Sequence, residues 1–256
     1  MKNVLRSTTR KAWPGRLARP GFRRAAAAVA PADPAERTVV WVYAVTPDFG
    51  AQPLSGVTGV AGEPVRVVTE AGLAAVVGSV DQAVFGEESL TSLLTDLATV
   101  EMVGRAHHQV IASTASAGPV VPLRLATTYP DDATIRMLLA ERRAELTDML
   151  QVFAGRQEWG VKVYVEPWSH AGVAAEACAE EIGEALSAIA VATRRHPAAG
   201  LLPGEKARWM VLNGAYLLST ERAAEFAETV QALTAEHDAF RADLTGPWPP
   251  YSFADR

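Results

Sequence analysis

The sequence predicts an α+β protein of two small domains, each an antiparallel-rich sheet with helices packed on one face. Three observations carry this reading. Short β-branched and aromatic runs alternate with longer stretches whose apolar residues recur at threes and fours. The segments follow the order βββαβα and then βαβαβ, so the pattern restarts near Trp159. Glycine, proline and aspartate punctuate the boundaries between segments.

Val39–Val45 is an apolar run rich in β-branched and aromatic residues, expected as a central strand. Pro47 to Gly59, with its prolines and glycines, is a loop. Pro64–Thr69 and Leu73–Val80 form a hairpin with its turn at Ala71-Gly72. From Ser89 a helical stripe of Leu90, Leu93, Leu94, Leu97, Val100, His107, Val110 and Ile111 runs to the stop at Ser116-Ala-Gly-Pro119. Val120–Thr127 reads as a strand, with Pro122 placing it at an edge or a bulge. Asp131 or Asp132 caps a helix that carries Ile135, Leu138, Leu139, Leu146, Met149, Leu150 and Phe153 and ends at Gly155.

In the second half, Trp159–Val165 is a strand, Gly172–Arg195 a helix, Pro197–Gly204 a break and Ala207–Leu218 a strand. Ser219 or Thr220 starts a helix through Phe226, Val230 and Leu233, and Ala239–Leu244 is a last strand. This half resembles a shortened ferredoxin-like unit. The expected organisation is a disordered basic extension over 1–37, an N-terminal α+β domain over 38–157, and a C-terminal ferredoxin-like domain over 158–256.

Charge supports the first of these boundaries. Residues 1–37 hold nine Lys/Arg against Asp33 and Glu36, a net of +7, leaving fifteen basic and 27 acidic residues for a net of −12 in the remainder. The head is rich in Arg, Ala and Pro and lacks apolar periodicity, as disordered extensions do; a twin-arginine export signal or a mis-assigned start are the other readings. An acidic body argues against nucleic acid as a partner. No apolar run is long enough to span a membrane, and the lone Cys178 excludes an internal disulfide and fits a reducing cytoplasm.

After Leu244 the chain changes character. Gly246-Pro-Trp-Pro-Pro-Tyr-Ser-Phe253 interleaves three prolines with Trp248, Tyr251 and Phe253. Proline lacks an amide hydrogen and fixes φ, so the run is expected as a semi-rigid extended arm. Its aromatic area needs cover, supplied either by folding back on the chain or by a partner.

This run resembles the C-terminal signature of the gas vesicle GvpF/GvpL family. Two more stretches share the resemblance: Arg105-Ala-His107 followed by Val120-Val-Pro-Leu-Arg-Leu-Ala-Thr-Thr-Tyr129, and Glu158-Trp-Gly-Val-Lys-Val163. They match in order and spacing over about residues 38 to 253, with Leu125-Ala126 standing where the family tends to have Phe-Gly. The resemblance implies two α+β domains joined near Glu158–Val163.

Residues that could carry chemistry do not converge. His107 and His108 are helix neighbours, about 100° apart, and cannot share one metal from that helix. His107 reads as an interface histidine bonded to Arg124 or to a backbone carbonyl. Cys178 and His196 add no ligand set, and Gly200–Lys206 departs from the phosphate-loop pattern in spacing, at Glu205 and at Ala207. Trp41 and Tyr43 alternate onto one strand face, where they serve as core. Arg124 in an apolar strand calls for a partner, either a structural carboxylate such as Glu158 or Glu166 or a surface on another protein; Lys162 has the same two readings.

The resemblance therefore implies a non-enzymatic assembly factor without cofactor or metal. It would be cytoplasmic and gas vesicle-associated, binding the small hydrophobic shell protein (GvpA-type), and other accessory proteins, and limiting shell aggregation during nucleation. Binding would use strand addition or a helix-in-groove contact near Arg124, Trp248 and Tyr251. A minor component of the vesicle wall is a related reading. The alternative from another class is a small-molecule-binding regulatory domain or enzyme, with His107 and Arg124 facing a cleft.

Overall fold

The expected central strand, β1 (Thr38–Pro47), lies inside a five-stranded sheet, flanked on one side by a two-strand hairpin and on the other by two short strands that both pair with it. The computed structural model describes residues 38–48, 54, 56–93, 95–165, 172–198, 200–202, 208–235 and 240–254; the extension read at 1–37, Glu166 and Pro203–Ala207 lie outside them. β2 (Val65–Glu70) and β3 (Leu73–Asp81) form the hairpin, and Ala71 and Gly72 both take positive φ, 53° and 81°. That geometry matches the twist of the paired strands.

The strand read over 120–127 is interrupted. β4 (Val121–Pro122) and β5 (Thr128–Tyr129) each pair with β1, and between them the chain turns. Thr127 donates from N and from Oγ1 to the Arg124 carbonyl, at 3.2 and 2.7 Å, and Ala126 adopts φ 67°. A left-handed φ suits glycine, the residue the family tends to have there. The turn leaves Arg124 exposed rather than within a buried strand.

After a short α1 (Gln82–Phe85), the helix read from Ser89 is two, α2 (Glu87–Leu93) and α3 (Leu97–Ala115). Asp96 separates the last two because its carboxylate accepts from the Thr99 amide and starts a new helix. Asp131 caps α4 (Asp132–Glu141) in the same way. Arg142 then breaks the run before α5 (Arg143–Phe153), which ends short of Gly155 at φ 66°.

Alternation along β1 buries both faces of this sheet, so its helices lie on two sides, not one. Trp41 and Tyr43 pack with Val76, Phe85, Val110 and Ile111 on the α3 side. Val40 and Val42 pack with Ile135, Leu139, Leu146 and Met149 of α4 and α5.

The C-terminal sheet has the order β10-β6-β9-β7, antiparallel throughout, with β6 (Arg156–Val165), β7 (Ala192–Arg195), β9 (Arg208–Ser219) and β10 (Phe240–Trp248). β8 (Gly200–Leu202) pairs with the start of β9. The helix read to Arg195 stops earlier: α6 (Gly172–Ile189) ends, the Val191 amide donates to the Leu217 carbonyl, and residues 192–195 pair with β9. Pro197 forbids helix beyond, while the edge of β9 offers hydrogen bonds to a strand. With the added strand, β6, α6, β7, β9, α7 (Ala223–Ala235) and β10 follow one another in an order compatible with a ferredoxin-like unit. α6 and α7 cover one face through Val161, Val163, Leu186, Tyr216 and Phe226. On the other face Ala215 and Leu217 join the α4–α5 cluster, together with Phe253. The boundary read at 157/158 falls inside β6.

Candidate functional site: the C-terminal arm and its cleft

β10 does not stop at Leu244 but runs on to Trp248, with its register broken between Thr245 and Trp248 around Pro247. An edge strand tolerates that proline because the missing amide faces no partner. Beyond it Pro249 and Pro250 are buried, a short 3-10 turn spans Tyr251–Phe253, and Phe253 enters the core cluster that both sheets share. Of the two fates open to the arm, folding back is the one adopted, and Trp248 alone of its aromatics is substantially exposed, at 40%.

Two side chains from outside the arm hold it. Glu158, on β6, is buried, and its carboxylate accepts the Ser252 amide and the Ser252 hydroxyl, both at 2.7 Å. Burial pushes its pKa up, and the two Ser252 bonds oppose that shift. His108, on α3, meets Trp248 edge-on with ring centres 5.3 Å apart, and its Nδ1 lies 2.7 Å from the Tyr251 hydroxyl. Burial, with the nearby Glu158 charge adding to it, keeps that phenol protonated, and the tautomer of His108 sets which of the two donates. Ser252 Oγ also lies 3.3 Å from His196 Nε2.

His107 faces the other way, into the first sheet. Trp41 Nε1–H donates to its Nδ1 at 3.0 Å, so the ring proton sits on Nε2 and is donated to the Leu123 carbonyl at 3.0 Å. Burial pushes its pKa down. Of the two partners expected for His107, the carbonyl is the one found. With both nitrogens committed and Arg124 on the surface, these residues do not form the cleft required by the enzyme reading. Glu158 is likewise engaged by Ser252 rather than by Arg124. Lys162 is exposed and stands opposite Asp243 in the β10–β6 register.

Trp248 and Tyr251 are thus brought together on His108, while Arg124 lies on the turn after β4. Sequence reasoning missed the clasp residues His108 and Ser252. His108 directly follows the matched histidine, and Ser252 lies within the arm signature, so both were in view without a spacing that pointed at a partner.

Behind the arm is a cleft of about 470 Å³. Ala112 and Ala115 at the end of α3, the chain from Ser116 to Val120 after it, the α5–β6 turn at 155–157, Thr220 and the arm from Pro247 to Pro250, Trp248 included, line it.

Two antiparallel sheets with their helices thus share one core cluster, closed by a clasped proline–aromatic arm, and no group of three or more His, Cys, Asp or Glu among the described residues could hold a metal. The chain belongs to the GvpL/GvpF family of gas vesicle synthesis proteins, whose model matches residues 39–176 and 169–255. It is 35% identical over 250 residues to gas vesicle protein L of Streptomyces sp. (strain CB03234), covering 84% of this chain and 92% of that protein. It is 26% identical over 175 residues to gas vesicle protein F2 of Halobacterium salinarum, covering 65% and 77%. The crystal structure of GvpF from Anabaena sp. PCC7120 superposes with a TM-score of 0.66 at 18% identity, over 86% of this chain and 97% of that one. GvpF from Microcystis aeruginosa gives 0.63 at 16%, over 85% and 99%. The α+β architecture is therefore that of the family, and the protein is one of gas vesicle formation. No helix among the described residues is long and apolar enough to cross a membrane.

Proposed function

We infer that this chain is a cytoplasmic, vesicle-associated assembly factor that binds the hydrophobic shell protein and limits its aggregation while a vesicle nucleates. The observation that carries this reading is the half-exposed Trp248, presented at a fixed place by a clasped arm in a protein of gas vesicle formation. A rigid aromatic at the rim of a cleft is the kind of group that anchors an apolar partner with little loss of side-chain freedom. Tyr251 supports it from below through His108, and the exposed Arg124, on the turn after β4, supplies a charge.

Groove binding is favoured over strand addition. β10 ends its sheet order, and its exposed residues include Arg241, Asp243 and Pro247. Charges and proline on an edge strand discourage pairing with another chain. An apolar helix laid against Trp248 meets no such obstacle.

Co-expression of the shell protein with the tagged chain tests the reading. Replacing Trp248 by alanine is expected to reduce shell protein captured from lysate about tenfold, the scale of a lost anchor, with the far-ultraviolet circular dichroism unchanged. Tyr251→Phe, which removes only the bond to His108, is expected to have a smaller effect. Undiminished capture by both variants would take the arm out of the mechanism.

A further inference from the structure

The cleft behind the arm differs in charge from the molecule around it. From residue 38 onward the sequence carries 27 acidic against fifteen basic residues. Yet no carboxylate is among the described residues that line this cleft, and the one formal charge there is Arg156. Arg156 opens β6 and is half-buried. Its Nη1 donates to the Val152 carbonyl that closes the end of α5. Nε and Nη2 have no partner among the described residues. A half-buried guanidinium held at Nη1 leaves Nε and Nη2 as a side-on fork that matches a carboxylate.

The rest of the lining suits a peptide. Pro119, Pro247, Pro249 and Pro250 form walls that cannot donate a backbone hydrogen and that are already fixed in φ, so little order is lost when a ligand enters. Gln157 provides an amide beside Arg156, able to donate to and accept from a peptide group. Ala112 and Ala115 leave the α3 side shallow. The volume lies within the ~300–1,000 Å³ of ordinary ligand sites.

We propose that this cleft binds an extended segment of another polypeptide through an aspartate or glutamate side chain, paired with Arg156 and flanked by residues that lie along the arm prolines. The Arg156 contact adjoins the aromatic rim, since Trp248 lines the same cleft, but the two read different chemistry. Trp248 would capture apolar surface whatever its sequence, whereas Arg156 reads an acidic residue in the partner, and either contact can fail without the other.

Fluorescence anisotropy of short labelled peptides with the full chain tests this. The peptides are capped at both ends and share their apolar residues, differing only in a central pair of glutamates, glutamines or lysines; a further glutamine peptide has a free C-terminal carboxylate. The glutamate peptide is expected to bind about tenfold more tightly than the glutamine one, and the lysine peptide most weakly. Arg156→Gln should abolish that preference while leaving the glutamine peptide unchanged. Ala115→Trp, which fills the cleft, should weaken all of them. Raising the salt to about 1 M should remove the glutamate advantage in the unaltered chain, so the outcome does not hinge on a variant that folds. Equal affinities for glutamate and glutamine peptides, a preference that survives Arg156→Gln, or tighter binding of the free C-terminus would each overturn the proposal. Shell protein capture that is lost in Trp248→Ala but kept in Arg156→Gln would separate the Arg156 contact from the aromatic one.

Discussion

At the scale of single residues, the two adjacent histidines show how one helix position of difference separates structure from surface. His107 ties three elements: α3 carries it, Trp41 of β1 donates to it, and Leu123 beside β4 accepts from it. That pairing requires a neutral ring, because a protonated Nδ1 would confront the Trp41 N–H with a second donor. Burial holds the folded pKa below the ordinary 6.5, whereas the unfolded chain titrates near that value. Between the two, the unfolded state binds a proton that the folded state refuses. The stabilisation is thus complete above about pH 6.5 and is lost as pH falls toward the depressed folded value, with a slope of at most about 1.4 kcal/mol per pH unit. Urea midpoints measured from about pH 7 down to about pH 5 are expected to fall in the wild type and to fall less in His107→Gln; parallel profiles would show that His107 is not the titrating group. His108, one residue on, turns to the arm instead. Residue identity alone could not assign these roles, since both depend on which long-range partner each ring meets. The family's histidine marked the place, and the glycine it tends to have at the position of Ala126 marked the left-handed turn that displaced Arg124.

At the scale of elements, what the sequence made legible followed its periodicities. The β1 run, the hairpin with Ala71-Gly72 at its turn, the caps at Asp131 and the stop before Gly155 were all local signals, and local energetics decide them. The breaks at Asp96 and Arg142 were hidden because the apolar stripe continues across them. The fate of residues 192–195 was hidden for a different reason: a strand at that edge exists only because β9, remote in sequence, offers it a ladder. The same logic governs β10. Its partner on one side is β6, and among the described residues no strand pairs its outer edge. Arg241 and Asp243 keep that edge soluble while the inward Ala242 and Leu244 pack toward the helices. Replacing both charges by valine is expected to leave the circular dichroism unchanged yet make the mass measured by light scattering rise with protein concentration more steeply than in the wild type. A variant that scatters like the wild type would mean that the edge is guarded by something other than its charges.

At the scale of the whole molecule, the division into domains is one of topology more than of stability. We propose that the two sheets unfold together. One cluster joins Val40, Val42 and Val77 of the first sheet, Ile135, Leu139, Met149 and Phe153 of the helices between, and Ala215, Leu217 and Phe253 of the second half. β6 begins before the read boundary and Glu158, its third residue, anchors the arm that returns Phe253 to the first half. Cutting there would expose apolar surface on both pieces, and burial of that surface is the main term favouring the joined state. Unfolding followed by far-ultraviolet circular dichroism and by tryptophan fluorescence is expected to give one coincident transition, as a single cooperative unit does. Phe253→Ala leaves a cavity at the junction and should lower stability by about 3 kcal/mol, the lower end for a buried phenylalanine. Because the cluster is shared, hydrogen exchange should quicken by a similar factor in the amides of β1 and of β9. Faster exchange confined to β9, or two separate transitions, would show instead that each half stands on its own core and that the arm is a strap between independent domains.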